Sequence, residues 1–198
     1  MGKISMLIPL VVIFILAACS GQPTVTSLPA EDVTPVATVR RVDAGITKVV
    51  SNGIITFTDS ASGISLDYPE GWIMDQVRGG TRSPSVFVFT NYFHIPALMD
   101  NIPPDESAVY LTILQPNPEA TLSGLVDSYK QQWTVEGSTI VTEENVTLVS
   151  GQTGTAILLD SYLGRQYYYL FTAVGDKLLF IEAIGDLAPV PAIAMTVR

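Results

Sequence analysis

A chain of 198 residues, 47% of them hydrophobic, is too apolar to stay unfolded and is long enough for one ordinary domain with a real core. Its formal net charge of −9 argues against nucleic-acid binding, which needs Lys and Arg to displace counterions from phosphates, and against attraction to anionic lipid head groups. A single cysteine excludes a disulfide framework.

Met1-Gly2-Lys3 is a short positive start, and Leu7 to Ala18 runs without a charged or polar side chain. Those twelve residues would rise about 18 Å as a helix, against a hydrocarbon core about 30 Å thick. The run is too short to span and suits the apolar core of a signal peptide. It ends in Leu16-Ala17-Ala18-Cys19, which resembles the bacterial lipobox. The resemblance implies diacylglyceryl transfer to the Cys19 sulfur, cleavage between Ala18 and Cys19, and further acylation by a fatty acid such as palmitate. One acyl chain holds a protein marginally and two or more hold it stably. The expectation is a lipoprotein with a signal peptide over residues 1–18, membrane-anchored, with membrane lipid as its partner through Cys19. The plainer alternatives are a secretory signal or an uncleaved anchor with an incidental Cys.

Residues 19–38 read as the lipidated cysteine and a tether. Pro23, Pro29 and Pro35 recur among Thr, Ser, Ala and Val, with no helix or strand period. Proline fixes φ and removes donors, so an extended, solvated linker is expected. The folded domain is expected over 39–198. Residues 54–58 read as a strand, 59–63 as a turn, and Ile64-Ser65-Leu66-Asp67-Tyr68 as a half-buried strand by its alternation. Pro69-Glu70-Gly71 breaks it, and Trp72 follows as a core residue. Strands are expected at 86–89 and 108–114, with a long loop from Asn91 to Ser107 between them.

Thr121 to Val135 is the best helix. Thr121 can cap it, Leu122, Leu125, Val126, Tyr129 and Trp133 form one apolar stripe, and Gly137 can stop it. Strands follow at about 139–142, 153–159, 166–173 and 178–184, with Gly175-Asp176-Lys177 as a hairpin turn. Pro189 to Val197 is expected to form a terminal helix. Tyr167-Tyr168-Tyr169 must place side chains on both sheet faces, one in the core and the other under a helix. Strands joined by hairpins with few helices between them predict an α+β fold, an antiparallel sheet flanked by helices.

Two stretches carry a family resemblance. One is Gly63-Ile64-Ser65-Leu66-Asp67-Tyr68-Pro69-Glu70-Gly71-Trp72. The other runs from Ser150-Gly151-Gln152-Thr153-Gly154 through the Tyr167–Tyr169 hairpin to Thr196-Val197-Arg198. This layout, over roughly residues 52–198, resembles the PsbP-like superfamily, whose plant members are extrinsic proteins of photosystem II. The resemblance implies a PsbP-like sandwich. It implies no activity and transfers no functional residue.

Signs of catalysis are few. His94 is the only histidine, so any Ser-His or Cys-His arrangement would have to use it. No Gly-x-Ser-x-Gly elbow accompanies it, and it reads as a loop residue. Zinc would need several His or Cys ligands. Asp100, Asn101, Asp105 and Glu106 lie close together without calcium-loop spacing and read as a solvated acidic loop. Glu143-Glu144 reads as an exposed turn. No cofactor or metal is expected, and no enzyme activity. Tyr92, Phe93 and His94, together in the long loop, are the candidate binding residues, able to line a pocket or a partner surface. The plainer reading is that they cover one edge of the core.

The reading is therefore a lipid-anchored extracytoplasmic accessory protein that acts by binding an envelope or membrane protein. The alternative is a small-molecule or lipid-binding module with a pocket between sheet and helices. Expressed in a bacterial host, the wild type is expected to lose its leader, gain lipid mass and partition into detergent, and Cys19→Ala to do none of these. Intact-mass spectrometry with detergent phase separation checks this, and equal unlipidated masses for both forms would refute the anchor.

Overall fold

The computed structural model describes residues 38–43, 45–77, 84–92, 102–103, 105–114 and 117–198. The leader, Cys19 and the tether up to residue 37 lie outside them, as do Phe93, His94, Asp100 and Asn101, whereas Thr38, expected as the end of the tether, already belongs to a strand.

The first sheet is a four-stranded antiparallel meander of β1 (Thr38–Asp43), β2 (Ile46–Ser51), β3 (Ile54–Asp59) and β4 (Ile64–Pro69). Local chemistry sets its turns. Ser51 pairs with Ile54 across Asn52-Gly53, whose φ values of 52 and 77 are both left-handed. Asn-Gly is the pair that tolerates this conformation in a two-residue hairpin. After β3, the Asp59 carboxylate accepts from the Ser62 amide and hydroxyl at 3.1 and 2.6 Å, closing the next turn. In β4, Ile64, Leu66 and Tyr68 are buried while the residues between them are half-buried.

The second sheet contains β5 (Ile73–Val77), β6 (Ser85–Thr90), β7 (Ser107–Ile113), β8 (Thr139–Thr147), β9 (Thr153–Asp160), β10 (Gln166–Val174) and β11 (Lys177–Gly185). Its order is β5-β6-β7-β11-β10-β9-β8, antiparallel throughout. One face packs against the first sheet. Phe57 meets Phe87 and Phe89 with ring centroids 4.7 and 5.5 Å apart, and Tyr68 meets Phe89 at 5.0 Å. Leu111, Leu170, Leu179 and Ile181 complete this core, and Val190, Ile193 and Val197 close it from the C-terminal side.

The other face lies under α1 (Leu122–Glu136). Thr121 caps the helix by accepting from the Gly124 amide at 3.1 Å. Gly137 ends it at φ 81, and the Ser138 amide donates back to the Trp133 carbonyl at 2.9 Å. The expected stripe is the buried one: Val126 and Trp133 are buried, with Leu122, Leu125 and Tyr129 partly so.

The last residues tie the two sheets together. α2 (Val190–Ala194) is short, and the chain after it runs beside β4. Ser65 and Arg198 exchange both backbone hydrogen bonds, at 2.7 and 3.1 Å. The Arg198 guanidinium donates twice to the Asp67 carboxylate, at 3.0 and 3.1 Å, and the Asp67 amide donates to the Thr196 hydroxyl at 2.9 Å.

The α+β, mostly antiparallel fold agrees with expectation, with differences in detail. Helices do not flank the large sheet on both sides, because the small sheet covers the face opposite α1. The terminal helix spans 190–194 rather than 189–197, because Thr196 to Arg198 pair with β4 instead. Glu143-Glu144 is exposed, as expected, but lies within edge strand β8 rather than in a turn. Charges on an edge strand discourage pairing with a further strand. Trp72 is partly buried against the main core.

Two glycines provide a test. Gly185 has φ 97, and a Cβ there would overlap the Glu106 carbonyl, whereas Gly63 has φ 75 and open space around it. Gly63→Ala is expected to cost about 1 kcal/mol from backbone strain, and Gly185→Ala more than about 2 kcal/mol. Urea denaturation would check this, and equal losses would contradict the packing around β11.

Candidate functional site

Of the sequence-predicted binding residues Tyr92, Phe93 and His94, only Tyr92 lies among the described residues. Tyr92 is only 8% exposed and packs against Ala108 and Ile184, with Ile102, Tyr110 and Tyr167 around them. Its hydroxyl has no hydrogen-bond partner among the described residues, and burial pushes its pKa up to about 12. Tyr92 thus covers an edge of the core, the plainer of the two readings. Glu106, from the acidic loop, serves through its backbone: its carbonyl accepts from the Asp186 amide at 2.8 Å.

The unexpected feature is Glu182, in the middle of β11. Registry places it opposite Tyr110 of β7 on one side and Tyr169 of β10 on the other. Opposed residues in neighbouring strands share a face, so Tyr110, Glu182 and Tyr169 form a row across the helix-covered face. The Tyr169 hydroxyl donates to Glu182 Oε1 at 2.9 Å. No other hydrogen bond and no ion pair reaches this carboxylate among the described residues.

The aromatic surroundings follow from strand and helix periods. Tyr167, Tyr169 and Phe171 alternate along β10 onto one face, and successive ring centroids are 6.1 Å apart. Tyr168, between them, points into the other core. From α1, Trp133 lies over Tyr169 at 4.5 Å, and Tyr129 contacts Phe171 and Phe180 at 5.2 and 5.1 Å.

A cleft of about 130 Å³ opens at the end of α1. Its inner wall includes Glu182, Tyr167, Tyr169 and Trp133. Glu136, at the end of the helix, and Tyr162 and Leu163, in the β9–β10 turn, stand at its mouth. The turn is pinned to the helix end by a 3.2 Å bond from the Tyr162 amide to the Ser138 hydroxyl. Tyr162 and Leu163 are 61% and 57% exposed there.

Electrostatics mark the same place. Desolvation raises the pKa of Glu182, and the bond from Tyr169 offsets this only in part. Tyr169, Tyr129 and Tyr110 are all held above the ordinary phenol range, chiefly by burial and then by the Glu182 charge. A desolvated carboxylate without a counter-ion costs stability, and such groups concentrate at functional sites. No group of three or more His, Cys, Asp or Glu stands together among the described residues.

No family model and no curated protein matches this chain. Among solved structures, it is similar to the solution structure of cyanobacterial PsbP (CyanoP) from Synechocystis sp. PCC 6803. That likeness has a TM-score of 0.52 and 18% identity, and covers 75% of this chain and 94% of that one. A second likeness is to a protein of unknown function, PA94 from Pseudomonas aeruginosa, with a TM-score of 0.40 and 13% identity over 79% and 87% of the two chains. The CyanoP likeness shows a PsbP-like fold and nothing about activity.

Glu182→Gln keeps an acceptor for Tyr169 and removes the charge. Because the folded-state pKa of Glu182 is raised, the wild type is relatively most stable in acid and loses that stability as pH rises through the folded pKa. The variant is therefore expected to be more stable at neutral pH by roughly 1 kcal/mol, with the difference closing in acid. Denaturant midpoints across pH would check this, and a less stable variant at neutral pH would contradict it.

Proposed function

We propose that this chain is a lipid-anchored extracytoplasmic binding protein whose PsbP-like domain takes a small ligand into the cleft between α1 and the large sheet. The observation that carries this reading is Glu182, a desolvated carboxylate facing an aromatic cleft with no cationic partner among the described residues. Ligand sites typically combine apolar and aromatic walls with a few placed polar groups. The lipobox-like Leu16–Cys19 and the proline-rich tether support the anchor and the reach of the domain from a membrane.

Binding fits this site better than catalysis does. Glycoside hydrolysis uses two facing carboxylates with distinct environments. Here one carboxylate lies inside among rings, and Glu136, at the mouth, is exposed and accepts from Gln132 at 2.8 Å. A second reading, docking to an envelope protein, is favoured by Tyr162 and Leu163, which project at the cleft mouth.

Ligand-observed NMR of the full chain in detergent, against a mixed library of small charged and neutral compounds, separates the two. The ligand reading expects binders that are lost in Leu163→Trp, which occludes the mouth from an exposed position. If there are no binders, and a photocrosslinker at position 162 captures one defined envelope protein, the ligand reading is refuted in favour of docking.

A further inference from the structure

Charge, shape and the aromatic surroundings restrict what this cleft can hold. Glu182 and Glu136 both line it, and no Lys or Arg does so among the described residues. An anion would meet repulsion from both carboxylates. A neutral apolar ligand would strip the remaining water from Glu182 and leave its charge unanswered. A bare metal ion would find too few ligating groups among the described residues.

We infer that the cleft binds a soluble organic cation through its ammonium group, with Glu182 as anionic anchor and the rings of Trp133, Tyr167 and Tyr169 as walls. This rests on the ligand-binding reading above and specifies its chemistry. A carboxylate has about four acceptor sites, and Glu182 uses one, for the Tyr169 hydroxyl. Ring faces attract cations within about 6 Å of their centroids, most strongly for Trp, and quaternary ammonium groups are recognised by such cages. Trp133 and Tyr169, buried with centroids 4.5 Å apart, form the floor of that wall, and the half-buried Tyr167, stacked on Tyr169, is its more open ring. The volume of about 130 Å³ suits a group of benzene size, such as a trimethylammonium head. The surrounding phenols hold their protons against burial and the nearby charge, so they present neutral rings.

The test is titration calorimetry of the full chain in detergent with choline and with its neutral isostere 3,3-dimethylbutan-1-ol, for wild type and Glu182→Gln. Choline is expected to bind the wild type, and about tenfold or more weaker to the variant. The isostere is expected to bind the wild type at least about tenfold weaker than choline does, and to bind the variant at least as well as the wild type. Tyr167→Leu, which leaves the carboxylate in place, is expected to weaken choline more than the isostere. Equal binding of choline and isostere, or unchanged choline affinity in Glu182→Gln, would overturn the cation assignment. If choline fails to bind while the library screen still finds ligands blocked by Leu163→Trp, the cation assignment falls and the ligand-binding reading stands. If nothing binds in either experiment, both fall.

Discussion

Strands β10 and β11 are buried on both faces. Tyr168, Leu170, Leu179 and Ile181 face the small sheet, while Tyr169, Phe171 and Phe180 face α1. A sheet with two apolar faces needs two covers, and the rest of the domain meets that constraint. The four-stranded meander and the C-terminal residues cover one face. The other is covered by a helix of 15 residues, about 22 Å long, and by a separate small cluster around Tyr92. Glu182 lies at the junction of these covers, opposite Tyr110 of the Tyr92 cluster and Tyr169 of the helix cluster.

That position explains the energetics of the site. Fully exposed, Glu182 would be an ordinary surface carboxylate. Fully enclosed, it would need a counter-ion or would stay protonated. It is half-buried, keeps one hydrogen bond, and stands against rings that supply no compensating charge. A glutamine, which keeps an acceptor for Tyr169, would fold at least as well here, so the local stability of β11 gives no reason for a glutamate. A cationic ligand does give one, since it would supply the missing partner and meet ring faces at the same time. Stability given up at a site and regained on binding is a common pattern in functional proteins.

Much of the architecture was legible in the sequence. Alternation in Ile64 to Tyr68, the stripe on α1 between Thr121 and Gly137, and the Gly175 hairpin each encode their element locally. The tyrosine triplet divides between two faces as its period requires. Strand β2 was missed although Asn52-Gly53, flanked by Val49-Val50 and Ile54-Ile55, carries a strong hairpin signal. Strand β5 shows no apolar-polar alternation, is largely exposed, and is held by pairing with β6, a non-local reason. Glu182 was invisible for a similar cause. In Leu178-Leu179-Phe180-Ile181-Glu182-Ala183-Ile184 a lone charge looks like a solvent-facing position of an alternating strand. Only the pairing of β11 between β7 and β10, with both faces covered, makes it a desolvated one. The signal that was present is the charge itself, in an otherwise apolar run of central-strand character.

The central claim is that Glu182 is a desolvated carboxylate awaiting a cation. It is tested most directly by following the side-chain carboxyl carbon of Glu182 by NMR across pH in the ligand-free protein. The account predicts a midpoint clearly above the ordinary glutamate value of 4.5, with the phenol signals of Tyr169 and Tyr110 responding to the same titration. A midpoint at or below that value would mean that water or a cation already compensates the charge, and would contradict the account.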